Sequence, residues 1–388
     1  MAKLIIPLLL LFLLFVFSPS NAVSYNLVSF GARPDGRADA TKPFLRAWAS
    51  ACQSVRPSTI HVPRGRYLMK PAVFRGPCKS RILIKIDGTI LAPNNYYAIG
   101  NAGNWLLFVQ VTGLSVLGGT LDARGAGFWA CRNAGRNCPA GARTITFNYA
   151  NNILISGLTS INSQTTHVVV NRCNNVMVQK VQILAPDQSP NTDGIHVQFS
   201  TGVTIRSSGI RTGDDCISIG PGTSNLWIDH IACGPGHGIS IGSLGKDLRE
   251  SGVQNVTVKN AVFTGTDNGV RIKTWARPSS GYVRGVLYEN IIMKDVKNPI
   301  IIDQRYCPDN QGCSRQSSGI KINQVAYKRI RGTSATQVAV KFDCSSSNPC
   351  KGIRLHNIRL TYLNRPAQSS CTNARGTTSG FVIPSSCL

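Results

Sequence analysis

Asn152-Ile153-Leu154-Ile155 is answered by Asn175-Val176-Met177-Val178, then by Gly202-Val203-Thr204-Ile205 and Asn225-Leu226-Trp227-Ile228. The phrase is Asn or Gly followed by apolar-x-apolar. Asn255-Val256-Thr257-Val258 and Gly285-Val286-Leu287-Tyr288 continue it, Gly113-Leu114-Ser115-Val116 precedes it, and Gly352-Ile353-Arg354-Leu355 is a late copy. From Asn152 to Gly285 the copies follow one another at nearly regular steps. A recurring theme with a period of roughly 20–50 residues marks a solenoid. Each unit holds short stretches with apolar residues at every second position, bounded by Gly, Asn and Ser, and no amphipathic helix intervenes. A leucine-rich repeat would need its Leu/Asn consensus, and a β-sandwich would not align its turns this way. The pattern predicts an all-β chain: a single right-handed parallel β-helix, whose coils of about three strands stack on one another.

Open solenoid ends need covering. Phe44, Ala47, Trp48 and Ala51 fall at i, i+3, i+4 and i+7, behind Asp39, Thr41 and Pro43. That spacing predicts a short amphipathic helix plugging the N-terminal end. No linker divides the chain afterwards, and the region beyond Cys344 reads as a C-terminal cap rather than a second domain.

The chain of 388 residues carries 42 Lys+Arg against 17 Asp+Glu, a formal charge of +25, although only 15% of its residues are charged. The basicity comes from scarce acid. With 42% apolar residues the chain is no disordered polycation. Such a charge points to a polyanionic partner: nucleic acid, an anionic membrane or an acidic polysaccharide. Lys3, the apolar run Leu4–Phe17 and the small residues Ser20-Asn21-Ala22 read as a signal peptide over 1–22. That run is short of the ~20 residues needed to span a bilayer. One secreted, soluble domain over 23–388 is expected, with no membrane partner.

Thirteen cysteines fit an oxidising compartment. They fall in near neighbours: Cys52/Cys78, Cys131/Cys138, Cys216/Cys233, Cys307/Cys313, Cys344/Cys350 and Cys371/Cys387, leaving Cys173 as a buried free thiol. No CxxC or HxxxH pair supports zinc. Nuclear or cytosolic nucleic-acid binding is disfavoured on the same ground, and no recognised reading motif appears.

Because acid is scarce, its placement matters. Asp193 stands in Asn191-Thr192-Asp193-Gly194, and Asp214 and Asp215 in Gly213-Asp214-Asp215-Cys216. Gly234-Pro235-Gly236-His237-Gly238 follows. The step from Asp193 to Asp215 equals the step from Asp215 to His237. At one coil per repeat these side chains stack at the strand spacing of ~4.8 Å. Arg271-Ile272-Lys273 sets two cations on one face of a strand, and Tyr306 follows further along, in Asp303-Gln304-Arg305-Tyr306-Cys307. If Ile195, Val197, Ile217 and Ile219 point inward, Asp193 and Asp215 must sit on turns just before their strands. Clustered carboxylates raise one another's pKa, which can keep one protonated for acid catalysis.

Other features read as structural. Asp35-Gly36 and Asp87-Gly88 are turns. His167 and His196 are strand histidines. Gly125-Ala126-Gly127-Phe128-Trp129-Ala130 has the letters of a dinucleotide fingerprint without its βαβ unit. Lys328-Arg329-Ile330-Arg331 is a solvated basic strip.

The four ordered blocks, Asn191-Thr192-Asp193-Gly194 through Arg271-Ile272-Lys273, together resemble the signatures of polygalacturonases, glycoside hydrolase family 28. The resemblance runs from Ser29-Phe30-Gly31-Ala32 to the C-terminal cysteines. Pro299-Ile300-Ile301-Ile302-Asp303-Gln304 and the cysteine layout are similar to the plant branch. It implies an open cleft that hydrolyses α-1,4-linked galacturonan with inversion. Asp214 would be the general acid, Asp193 and Asp215 would hold and activate water, and His237 would hydrogen-bond near the acid. Arg271 and Lys273 would pair with a galacturonate carboxylate, Tyr306 would line a sugar subsite, and Asn191 would bind substrate. Arg305 before Tyr306 is a local variation. The resemblance implies no cofactor and no metal, a pectin or polygalacturonate substrate, a monomer and a cell-wall location. Endo action is favoured over exo without being resolved. Two competing readings remain open: a pectate-lyase-like eliminating enzyme using Ca²⁺, and a non-catalytic pectin-binding wall protein.

Overall fold

The asparagines and glycines that open the repeated phrase share one backbone state. Gly113, Asn152, Asn175, Gly202, Asn225, Asn255, Gly285 and Gly352 all have φ between 53° and 74°. Asn and Gly tolerate that left-handed bend better than other residues, and it turns the chain into each successive strand. The structure, a computed structural model, describes residues 22–308, 313–314 and 316–388. The leader expected over 1–22 lies outside the described residues apart from Ala22.

The strands stack in parallel as three ladders. One carries the repeated phrase, from Ser58–Val62 through Asn151–Ser156 to Val253–Lys259. A second holds shorter strands such as Thr120–Asp122 and Thr159–Ile161. Long strands such as Thr201–Arg211 run round the bend and join both. The third is an 11-stranded sheet of its own. Together they form the right-handed parallel β-helix expected. The single antiparallel pairing among the described residues, Thr361 with Pro366, lies near the C-terminus.

The alternation fills the cylinder with columns of like residues. Ile60, Ile84, Val116, Ile155, Val178, Ile205, Ile228 and Val258 sit on one another, each at most 2% exposed. Burying each such side chain contributes about 1.5–3 kcal/mol before chain entropy is counted. The helix Thr41–Gln53 closes the N-terminal end. Asp39 Oδ1 accepts hydrogen bonds from the Thr41 amide and hydroxyl at its start. Phe44 and Trp48 pack on Phe74 at 5.2 and 5.3 Å, on a stack that runs on through Phe108 and Phe147. The region after Cys344 extends the same ladders, through Cys350–Tyr362, Gln368–Thr372 and Ala374–Ile383. The cap is thus made from further coils.

All six neighbouring cysteine pairs are bridged, and Cys173 is a buried thiol.

Candidate active site

The outer face of the third sheet carries the acidic cluster. Ile195, Ile217, Ile239 and Val270 form an inward column through its middle strands. Their strands begin at Ile195 and Ile217, so Asp193 and Asp215 lie just ahead, on the turns that the alternation requires. The same register carries Asp193 to Asp215 and Asp215 to His237. Backbone bonds tie these turns together: Gly194 N–H donates to Asp215 O at 2.9 Å and His237 N–H to Asp214 O at 2.8 Å. Gly213 is needed here, because a Cβ would lie 2.1 Å from the Ser189 carbonyl. The Cys216–Cys233 bridge anchors the same turn from within.

Adjacent aspartates sit in opposed environments. Asp215 is 1% exposed. Its Oδ1 accepts from Arg271 Nη2 at 2.8 Å and Ser240 Oγ at 2.7 Å, and its Oδ2 from Lys273 Nζ at 2.9 Å. Burial pushes its pKa upward, but Lys273 and Arg271 outweigh burial and hold it at about 2. Asp193 has no such cation in contact. Burial first, then the charges of Asp214 and Asp215, raise it to about 8. Its one strong donor is Ser218 Oγ, at 2.6 Å from Oδ2.

Asp214 stands between them and faces the cleft. Its Oδ1 meets His237 Nδ1 at 3.0 Å and accepts the Asp215 amide at 2.8 Å. Its Oδ2 has only Asn191 Nδ2, at 3.4 Å. The bond to Asp214 is the largest cause that raises the His237 pKa, opposed by burial and aided by the charges of Asp214, Asp215 and Asp267. Asp267 lies 3.6 Å from His237 Nε2.

Two cavities meet at Asn191, Asp214 and Tyr306. One extends past His237, Arg271 and Arg132; the other past Asp193, His196, Lys273 and Lys246. Tyr306 packs edge-on against Trp275 and lies 5.1 Å from Lys273 Nζ.

All eight sequence-predicted residues therefore converge. The arrangement differs in one respect. Arg271 and Lys273, expected to face a substrate carboxylate, are bonded to Asp215. A cation buried beside Asp215 would be costly unpaired, so the aspartate captures both. Asp214, Asp215 and His237 have ligand-type atoms within 4.8 Å of one another. Both Asp215 oxygens, however, already answer protein cations.

Sequence reasoning misses a second row. His196, Ser218, Ser240 and Arg271 are consecutive register partners on the outer face. His196 Nδ1 lies 2.7 Å from Ser218 Oγ. The signal is the same step that relates the acids, which also separates His196 from Ser218 and Ser218 from Ser240.

The family pattern of "Glycosyl hydrolases family 28" matches residues 52–382. A polygalacturonase of Prunus persica is 55% identical over 382 residues, covering 97% of each chain. An exopolygalacturonase of Platanus acerifolia is 42% identical, covering 94% of this chain and 98% of that one. Among solved structures, a polygalacturonase from Erwinia carotovora ssp. carotovora superposes with a TM-score of 0.70 at 26% identity, covering 92% of this chain and 97% of that one.

Proposed function

The chain belongs to glycosyl hydrolase family 28, and on that premise we propose that it is a pectin-degrading hydrolase that cleaves the α-1,4-galacturonosyl bonds of polygalacturonate with inversion. The observation that carries the mechanism is the split between neighbouring carboxylates. One is fixed as an anion by two cations, one is raised by burial, and one stands open to the cleft.

Asp214 is the general acid. With Oδ1 engaged by His237 and the Asp215 amide, Oδ2 is the seat of the transferable proton. It passes to the glycosidic oxygen as the C1–O bond breaks. Water attacks C1 from the opposite face, its oxygen oriented by Asp215, and gives a proton to Asp193. Asp193 is the stronger base because no cation stabilises its charge by contact. Burial, with the charges of Asp214 and Asp215, raises its pKa and so gives it the affinity to keep the proton that the water releases. Turnover leaves Asp214 ionised and Asp193 protonated. Inverting enzymes separate acid and base by ~6.5–9.5 Å to admit the water, and placing the two on successive coils with splayed side chains suits that need.

Arg271 and Lys273 keep Asp215 charged, and each also lines one side of the cleft. Their field favours a galacturonate carboxylate beside the scissile bond. Asn191 and Tyr306 line the junction and contact the sugars. Groups continue on both sides of Asp214, which supports endo action. Ser20-Asn21-Ala22 and the six bridges support a secreted protein cleaved after residue 22, and the plant relatives support a place in the cell wall.

The test is product analysis on polygalacturonate with and without chelator. New saturated reducing ends, undiminished by chelator, are expected. A chelator-sensitive, unsaturated product would replace this reading with elimination, and no new ends from wild type would leave only binding.

A further inference from the structure

Ser218 links Asp193 to His196, and the mechanism above leaves this chain without a task. Ser218 Oγ lies 2.6 Å from Asp193 Oδ2 and 2.7 Å from His196 Nδ1, and His196 Nε2 lies 3.3 Å from Gln198 Oε1. A hydroxyl has one hydrogen to give. When Asp193 is ionised, Ser218 donates to it and His196 must donate Nδ1–H to Ser218. When Asp193 holds a proton the same atoms can carry the reverse polarity. Asp193 then donates to Ser218, Ser218 to Nδ1, and the imidazole hydrogen sits on Nε2, toward Gln198.

The two polarities differ by one proton. We propose that Ser218 and His196 are a relay that discharges Asp193 after each turnover, a reading that rests on Asp193 as the proton acceptor. In the step, the Asp193 O–H breaks as a new Ser218 O–H forms. The old Ser218 O–H breaks as Nδ1–H forms, and Nε2–H passes to water. One proton leaves the cluster, and the imidazole is neutral before and after.

The surroundings suit such a group. Burial lowers the His196 pKa; Arg143 and Lys273 also disfavour the imidazolium, while Gln198 and Asp215 act the other way. His196 and Gln198 both line the cleft wall, and it is there that the relay hands the Nε2 proton to water. Gly220 lays bare backbone against the ring. A Cβ there would stand 3.2 Å from His196 Cε1 and 2.9 Å from Gln198 Cβ.

The test compares His196→Ala, Ser218→Ala and Asp193→Asn in the mature enzyme on polygalacturonate, with Tm for each, with and without added imidazole. His196→Ala is expected to lower kcat about tenfold with KM unchanged. Imidazole should restore most of that loss in proportion to its neutral form. Ser218→Ala should lose kcat similarly and gain nothing from imidazole, because the middle of the relay is gone. Full kcat in His196→Ala, or a loss that imidazole cannot restore at any Tm, overturns the relay. Full activity in Asp193→Asn would instead overturn the reading on which it rests.

Discussion

Two faces of the same coils treat polar groups in opposite ways. On the ladder of the repeated phrase, polar side chains find neutral partners one coil away, asparagine with asparagine in places. Asn175 Nδ2 donates to Asn152 Oδ1 at 2.7 Å, and Asn255 Nδ2 to Asn225 Oδ1 at 3.1 Å. On the cleft face the same stacking brings three carboxylates together, and like charges cannot satisfy one another. Two cations settle Asp215, Asp193 stays raised, and Asp214 is left open to the cleft. One repeat thus builds stability on one face and reactive frustration on the other. Polar groups matched to themselves hold a scaffold, while polar groups matched imperfectly hold a proton ready to move.

Several changes would break or sharpen this contrast. The largest effect is expected for Asp214→Asn, which cannot give up a proton. Hydrolysis should fall by about 10²–10⁴-fold while Tm changes little. Steady-state kinetics beside a thermal melt decides it, and near-normal turnover would remove Asp214 from the acid role.

Asp215→Asn should lose activity and stability together. It leaves Arg271 and Lys273 facing a neutral amide with side chains only 12% and 8% exposed. Stripping one partner from such a buried cluster costs about 3–5 kcal/mol, measurable by urea unfolding. Asp193→Asn should act on stability in the opposite sense. The folded-state pKa of Asp193 is raised to about 8, above its unfolded 3.8. The native state therefore holds a proton that the unfolded chain has lost, and this group's contribution to stability declines as pH rises from about 4 to 8. Asp193→Asn should lack that decline and exceed wild type at pH 8. For Asp215, held at about 2, the contribution is present above 3.8 and is lost as pH falls towards 2. Unfolding of wild type against each variant should show a contribution that falls with rising pH from about 4 to 8 for Asp193 and one that rises from about 2 to 3.8 for Asp215, and slopes of equal sign would erase the contrast.

The smallest effect belongs to the scaffold face. Asn225 has φ of 53°, accepts from Asn255 and donates to Thr201 Oγ1 at 3.2 Å. Asn225→Ala puts a Cβ without polar help at a left-handed position and should cost about 1–2 kcal/mol. Asn225→Gly keeps the bend and should cost less, as the natural exchange of Asn and Gly along the repeat implies. Kinetics should not move in either variant.

How much of this is legible in the sequence follows the same division. The Asn/Gly phrase identifies the coils because left-handed bends admit few residue types, and the alternation alone places Asp193 and Asp215 on turns ahead of their strands. The constant step from Asp193 to Asp215 to His237 gathers the acids and the imidazole. It does not reveal which charges pair. Arg271 and Lys273 read as substrate contacts because sequence shows spacing but not competition between an internal carboxylate and an external one. His196 reads as an ordinary strand histidine because nothing marks it until Ser218, one coil away, is seen against it.

With Asp214 and Asp193 acting on opposite faces of the sugar, as proposed, inversion at the anomeric carbon is the expected outcome. Proton NMR of an α-linked oligogalacturonate digest, recorded before mutarotation, is the most direct test. The new reducing end is expected to appear first as the β-anomer; an α-anomer, or an unsaturated uronate in its place, would contradict the assignment of acid and base.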